Sequence, residues 1–412
     1  MNTIYSFFIS ITGMVLKVLA PINSKLKLFV TGRKLVFDFL TENFQHSDRT
    51  IWLHAASLGE FEQGLPVLET VKRYYPSHKI LLTFFSPSGY EVKKDSKVAD
   101  VISYLPLDTV QNAKRFLAIT CPELAIFVKY EIWPNFLNEL EKQKIPTLLI
   151  SAIFKQNQIY FKIYGIFLRN SLRRFSKIFV QNEESKMLLE TIGYRNTEVS
   201  GDTRFDRVVE ILEGDNHLEH IERFKGNQKC IVAGSSWVED EAILLEYINS
   251  SDSGKFIIAP HTIKAENISK LMASITKKTA LYSNRKNEDF SNFDVLIIDN
   301  IGLLTKIYSY ADIAYVGGGF KTGLHNTLEP AVFGIPVIIG PNYTGFAEAE
   351  MLVKKGGLFP IRNKEDLKIL LDEFLTNDAL RLNKGTINSE FVQQNRGATK
   401  TILAHINYIL PN

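Results

Sequence analysis

Residues 51–84 read IWLHAASLGEFEQGLPVLETVKRYYPSHKILLTF, and this stretch decides the fold class. An apolar run at 51–54 gives way to small residues and Gly59. Helix-spaced apolar positions follow over 61–75, and a second apolar run occupies 80–84. Short apolar runs separated by an amphipathic stretch argue for a parallel βαβ unit, whose strands are buried on both faces. The rhythm continues with strand-like runs at 101–105, 124–128, 147–150 and 177–180, and with helical stretches at 110–119, 133–143 and 183–192. Ser86-Pro87 pairs an N-cap with proline at the first helical position.

A polar segment, EGDNHLEHIERFKGNQ at 213–228, interrupts the pattern. The alternation resumes with strands at 230–233, 256–259, 295–298, 313–316 and 337–339. Helices are expected at 239–247, 265–272, 303–310, 327–333 and 347–355. The chain is therefore expected to form two doubly wound, Rossmann-like α/β domains facing a cleft, over 22–202 and 229–395, with a linker at 203–228. A last helix, 396–412, is apolar enough to dock, with the first domain as the candidate surface. Ligands in such sheets bind outside the carboxyl ends of the strands, so the turns that follow strands are where chemistry belongs.

Composition narrows the function. The 412 residues are 45% apolar and 23% charged, as in globular proteins. Forty-eight basic against 45 acidic residues leave a net charge of +3, too small for a nucleic-acid coat, so no nucleic-acid partner is expected. Two distant cysteines, Cys121 and Cys230, exclude a disulfide framework and a Cys/His metal site. No metal or other cofactor is expected.

The first residues differ in kind. Ile4 to Ala20 carry one charge, Lys17, and would span about 25 Å as a helix, short of a ~30 Å hydrocarbon core. No acid precedes Asp38, whereas Lys17, Lys25, Lys27, Arg33 and Lys34 do. Basic residues after an apolar stretch favour a cytoplasmic flank, and the uncharged start MNTIY does not suit a signal peptide. Residues 1–21 are expected to form a membrane anchor that either crosses the bilayer or lies in its interface, the alternative being a helix packed on the protein itself.

Several post-strand motifs carry candidate chemistry. In HAASLGE (54–60), Glu60 sits in a first helical turn, either as a helix cap or as a general base for a hydroxyl nucleophile. KYEIWPN (129–135) places Glu131 in an equivalent turn, where it either faces one ligand together with Glu60 or belongs to a loop anchored by Trp133, the reading the residues alone favour. GDTRFD (201–206) contains Arg204, whose fork suits a phosphate or carboxylate but equally suits Asp202 or Asp206. AGSS (233–236) is an anion-nest candidate. His261 follows the strand at 256–259. After the strand at 313–316 come Gly317-Gly318-Gly319 and then GLHNTLEP (323–330), where Asn326 or Thr327 would cap a helix able to hold phosphate and Glu329 could reach ribose hydroxyls. The absence of GxGxxG and GxxxxGK[ST] spacing disfavours a nicotinamide dehydrogenase and a phosphate-loop enzyme.

HAASLGE, EIWPN, GDTRFD, APH (259–261) and GLHNTLEP, in this order, resemble the 3-deoxy-D-manno-octulosonic acid (Kdo) transferases, over nearly the whole chain. The resemblance implies glycosyltransferase-B architecture, an acceptor domain at 22–202 and a CMP-sugar domain at 229–395. It implies inverting transfer of Kdo from CMP-Kdo to the lipid A precursor, lipid IVA, at the cytoplasmic face of the inner membrane in lipopolysaccharide synthesis. Carried onto this sequence, Glu60 is the proton acceptor, and Glu131 and Arg204 stabilise the transition state. CMP is contacted by Pro260, His261, Ile301, Gly302, Leu303, Asn326, Thr327, Leu328 and Glu329. The rivals are a two-domain glycosyltransferase that uses a UDP-sugar and a non-catalytic nucleotide-sugar-binding paralogue.

Overall fold

The computed structural model describes residues 2–286, 288–321 and 323–411. Two compact units emerge, one from Met1–Arg207 with Arg396–Asn412, the other from Val208–Asn395. The first holds a parallel seven-stranded sheet of β1 (Thr50–Ala55), β2 (Lys79–Phe84), β3 (Val101–Tyr104), β4 (Pro122–Val128), β5 (Thr147–Ala152), β6 (Lys177–Val180) and β7 (Thr197–Val199). Its spatial order is β3-β2-β1-β4-β5-β6-β7. The second repeats the plan with β8 (Cys230–Ser236), β9 (Lys255–Pro260), β10 (Thr279–Leu281), β11 (Val295–Ile297), β12 (Ile313–Val316), β13 (Val337–Ile339) and β14 (Leu358–Pro360), in the order β10-β11-β9-β8-β12-β13-β14. Each sheet reverses its winding once, between β1 and β4 and between β8 and β12. Loops diverge at such a switch point and leave room for a ligand. HAASLGE leaves β1 and KYEIWPN leaves β4, so both carboxylates are delivered to one switch point.

The strands pair because they are apolar on both faces. Every residue of β1 is buried, and Trp52 is fully enclosed between Phe116, Phe127 and Phe136, with ring centroids 4.8, 5.0 and 5.7 Å away. Its indole N–H donates to Thr83 Oγ1 at 2.8 Å, which satisfies the one polar atom that burial would otherwise strand.

The segment 203–228, expected as a linker, carries two helices, Thr203–Glu213 and Glu219–Lys225. Ile221 and Phe224 lie buried three residues apart on the second, at helical spacing that the polar composition masks. The final helix, Ala398–Ile409, belongs to the first unit. Ile402, Ile406 and Leu410 join the core that contains Leu65, Leu68 and Val71 of the helix Leu58–Tyr74. Asp206 caps it, accepting from Gly397 N at 2.5 Å and Thr399 N at 2.6 Å.

The N-terminal helix, Asn2–Leu19, is two-sided. Gly13 is buried, and a Cβ there would lie 2.7 Å from Leu107. Ser6 Oγ accepts from Asn135 Nδ2 at 3.0 Å, and the Tyr5 ring lies 5.5 Å from Phe167. The opposite side exposes Ile4, Phe7, Phe8, Ile11, Met14, Val15 and Val18. Among the described residues, Ile4–Ile22 is the stretch long and apolar enough to cross a membrane, with mean hydropathy 1.6.

Candidate functional site

In the first unit the site is built on the carboxyl ends of β1 and β4. Ser57 opens the helix Leu58–Tyr74, and Glu60 folds back on it. Glu60 Oε2 accepts from Ser57 N at 3.0 Å and from Ser57 Oγ at 3.3 Å. The glutamate is thus a helix cap, as its place in the first turn allows. It is also half-buried beside Glu131. Burial, and next the like charge of Glu131, raise its pKa above the usual carboxylate range. A first-turn cap normally favours the ionised form; here desolvation and repulsion outweigh the cap.

Glu131 is held by two side chains. His54 is fully buried; its Nδ1 contacts Thr83 Oγ1 at 2.8 Å and Thr83 O at 3.1 Å, and its Nε2 lies 3.1 Å from Glu131 Oε2. The same oxygen accepts from Trp133 Nε1 at 2.7 Å. A neutral ring that holds the Glu131 carboxylate does so through Nε2–H, and Nδ1 then accepts from the Thr83 hydroxyl. Lys129 precedes this group with φ +66°, a left-handed conformation rare in a lysine, and so turns the chain sharply out of β4. Tyr130 and Tyr160 close in: burial and the charge of Glu60 raise the first, and burial, Glu131 and Tyr130 push the second up to about 12. Both phenols remain protonated donors near the carboxylates.

Arg204 begins the helix Thr203–Glu213. Its Nε and Nη2 grip Asp202 Oδ2 at 2.9 and 2.7 Å, and its N–H donates to Asp202 Oδ1 at 2.9 Å. Of the two acids flanking it, Asp202 is its partner and Asp206 caps the last helix. Thr203 donates to the carbonyl of Gln63 in the helix that carries Glu60. Arg204 is therefore fixed to the same scaffold as the proposed base, one turn further along it.

In the second unit, His261, expected at CMP, joins a stacked cluster with Trp237 and His325, which were not. His261 leaves β9 and lies parallel to Trp237 and to His325, at 4.3 and 4.7 Å between centroids. Trp237 Nε1 donates to His325 Nε2 at 3.0 Å. Burial lowers both histidine pKa values, and His261 lowers that of His325 further, so the stack is neutral near pH 7. Asp240 ties the loops beneath it, accepting from Trp237 N, Gly318 N and Tyr315 OH at 2.9, 2.9 and 2.7 Å. Pro260 sits at the end of β9 beside Ser236. Asn326 Nδ2 donates to Glu329 Oε1 at 3.1 Å, and Asn326 Oδ1 accepts from Leu328 N at 3.1 Å. Ile301 and Gly302 stand exposed in the loop after β11, with Gly302 at φ +90°, and Leu303 opens the helix Leu304–Ile307.

The structure changes three of these expectations and decides between two alternatives for the cap. The helix after Asn326 is a single turn, Leu328–Ala331, with a dipole far weaker than a helix of 327–333 would carry. Thr327 makes no cap; its buried Oγ1 has no hydrogen-bond partner in the protein, and Asn326 supplies the cap. The three glycines are demanded by the protein itself. A Cβ at Gly317 would meet Ser235 O at 2.4 Å, one at Gly318 would meet Gly323 O at 2.3 Å, and one at Gly319 would meet Gly340 at 2.8 Å. Likewise the 233–236 turn is a bulge within β8, with Ser235 at φ +53°.

His54, Trp133 and Trp237 were not expected as site residues. A histidine in the otherwise apolar run 51–54 and a tryptophan two residues after Glu131 were the available signals. The Trp237 contact joins residues distant in sequence and gave none.

The family described as 3-deoxy-D-manno-octulosonic-acid transferase (kdotransferase) matches residues 33–207. The 3-deoxy-D-manno-octulosonic acid transferase of Aquifex aeolicus is 32% identical over 347 residues, 82% of this chain and 89% of that protein. Among solved structures, UDP-GlcNAc 2-epimerase from Neisseria meningitidis bound to UDP-GlcNAc gives a TM-score of 0.61 at 16% identity, covering 87% of this chain and 100% of that one. Acinetobacter baumannii MurG gives 0.55 at 13% identity, covering 87% and 99%. These two share the glycosyltransferase-B fold with this chain. With the length and level of its similarity to the Aquifex protein, the chain belongs to the 3-deoxy-D-manno-octulosonic acid transferases, a family of glycosyltransferases.

Proposed function

We propose that this enzyme transfers Kdo, with inversion, from CMP-Kdo to the lipid A precursor lipid IVA at the cytoplasmic face of the inner membrane. Glu60 is the proton acceptor, Glu131 and Arg204 stabilise the transition state, and no metal takes part. The observation that supports this reading best is the paired carboxylates at one switch point, with the pKa of Glu60 raised by burial and by Glu131. A base with a raised pKa holds the proton of an attacking hydroxyl more strongly once ionised, and such assistance typically supplies 10²–10⁴-fold. Ser57 occupies Oε2, which leaves Oε1 for the primary glucosamine hydroxyl as it attacks the anomeric carbon.

The leaving cytidylate gains negative charge as the glycosidic bond breaks. Arg204, preset by Asp202, supplies a fixed cation for it. The nucleotide itself is assigned to Pro260, His261, the loop Ile301-Gly302-Leu303, and Asn326, Thr327, Leu328 and Glu329. The unpartnered Thr327 Oγ1 and the neutral aromatic stack suit a phosphate and a base respectively.

The exposed apolar side of the helix Asn2–Leu19, with Lys17, Lys25 and Lys27 nearby in sequence, supports attachment to an anionic leaflet. Its other side is hydrogen-bonded to the first unit, which favours a helix lying in the interface over one that crosses. The test is transfer from CMP-Kdo to lipid IVA, read by mass spectrometry of the product. Folded Glu60→Ala protein is expected to lose activity at least 100-fold. Retention of the wild-type rate would remove Glu60 as the base.

A further inference from the structure

Two adjoining cavities lie between the N-terminal helices and the sheet of the first unit, and the site described above uses neither. The inner one, about 240 Å³, is walled by Leu16, Phe29, Phe85, Leu107 and Trp133. Asp108 is its one charged wall residue, and that carboxylate is turned to the backbone N–H groups of Asn135 and Phe136, at 3.2 and 3.0 Å. The outer cavity, about 350 Å³, shares Leu16, Phe29 and Leu107 with the first but is rimmed by Lys17, Arg33 and Lys34. An apolar chamber opening past a cationic rim has the polarity of an anionic amphiphile.

Arg33 is the unusual member of the rim. Its guanidinium donates to Leu105 O, Phe29 O and Phe85 O at 3.0, 3.0 and 2.6 Å and lies over the rings of Phe29, Phe85 and Tyr104. Among the described residues no carboxylate pairs with it, and burial lowers its pKa to about 9. Three carbonyls hold the fork in place while its charge remains uncompensated, a fitting arrangement for an anion that arrives with a ligand. A continuous aromatic wall runs from there to the carboxylates. Phe29 meets Phe85 at 5.2 Å, Phe85 meets Trp133 at 4.6 Å, and Trp133 donates to Glu131.

We infer that these cavities are the acyl-chain site of the phosphorylated lipid acceptor, with one chain in the inner chamber and a phosphate of the same molecule at Arg33, Lys17 and Lys34. The inference rests on the acceptor reading above and deepens it. An acyl chain seated against Trp133 would bring its own sugar toward Glu131 and Glu60, coupling acceptor binding to the position of the reacting hydroxyl.

The test uses the full chain and two readouts. Calorimetry with dodecyl phosphate measures the site without catalysis. Leu16→Trp, which fills both cavities from the N-terminal helix without touching the sheet core, is expected to weaken binding at least ten-fold, and Arg33→Met to do the same. Dodecyltrimethylammonium is expected not to bind. Equal affinity of dodecyl phosphate for wild type and Leu16→Trp overturns the inference, whatever the transfer assay gives. In that assay, Leu16→Trp is expected to raise KM for acylated acceptor about ten-fold while leaving KM for CMP-Kdo and the rate with de-O,N-acylated acceptor unchanged. An unchanged KM for acylated acceptor, with dodecyl phosphate displaced by phosphatidylglycerol vesicles, assigns the cavities to bulk phospholipid and overturns the inference. Loss of dodecyl phosphate binding in the variants, with no Kdo transfer by wild type, would instead sink the acceptor reading and leave an anionic-amphiphile site.

Discussion

At the scale of single residues, the proposed chemistry turns on one pair of carboxylates. Their mutual repulsion makes a directional prediction. Glu131→Gln removes the like charge that helps raise Glu60, so the Glu60 pKa falls toward its ordinary value. The acid limb of kcat/KM, which reports ionisation of the base in the free enzyme, is expected to move to lower pH, together with a loss of maximal rate. A limb that stays in place would show that another group sets it. In the second unit, His261→Ala removes the ring that stacks on both Trp237 and His325. A lost base–aromatic contact is worth about 1–3 kcal/mol, so the Kd for CMP is expected to rise roughly 5- to 150-fold, read by calorimetry. The glutamates were legible in the sequence because they follow apolar runs and precede helices. What holds them was less so. The His54–Glu131 contact joins residues 77 apart, and only strand order places β1 beside β4.

At the scale of elements, Asp108 shows how a helix start is held. It accepts from the first N–H groups of the helix Pro134–Lys142, and burial raises its pKa from 3.8 to about 6. The protonated form is favoured in the folded protein. Its stabilising contribution is therefore full below pH 3.8 and is lost as pH climbs through 6, on the order of 3 kcal/mol in all. Asp108→Asn cannot ionise, so the thermal midpoint of the first unit is expected to lose that part of its pH dependence; an unaltered profile would contradict it. Elements with strong periodicity were legible to within a few residues: the helix Ala347–Lys355 falls on its expected span, and Val110–Thr120 is longer by one. The edge strands β7, β10 and β14, three residues each, escaped notice because they are only partly buried and lack the apolar run that marks the equally short β11 and β13. Three glycines in a row at 317–319 signal a close approach to the backbone, but sequence could not say that Ser235, Gly323 and Gly340 are what comes close.

At the scale of the molecule, the two-sheet plan followed from the alternation of runs, whereas the ends of the chain did not. The N-terminal helix carries Ser6, Ser10, Gly13 and Lys17 on one stripe, and overall composition did not separate the side that packs on Asn135 and Phe167 from the side that faces out. That division predicts a separation of functions. Serine at Phe7, Ile11 and Val18 together removes three outward side chains, each worth about 1.5 kcal/mol or more on burial in lipid, so partitioning onto anionic vesicles is expected to drop roughly a thousand-fold. Sedimentation with vesicles measures this, while the thermal midpoint should stay at the wild-type value. Inward substitution at Gly13, against Leu107, is expected to do the reverse.

The stapling of Ala398–Ile409 into the first unit also bears on how the chain is made. Synthesis runs from the amino end, so the surface of Leu58–Tyr74 that receives Ile402 and Ile406 emerges from the ribosome hundreds of residues before its cover exists. The lobe translated second has its whole sequence, Val208–Asn395, in hand before the lobe translated first can close. Through that interval a nascent chain carries a wet hydrophobic strip, and the emergence of Ile402 and Ile406 becomes the event that completes its earliest-made half.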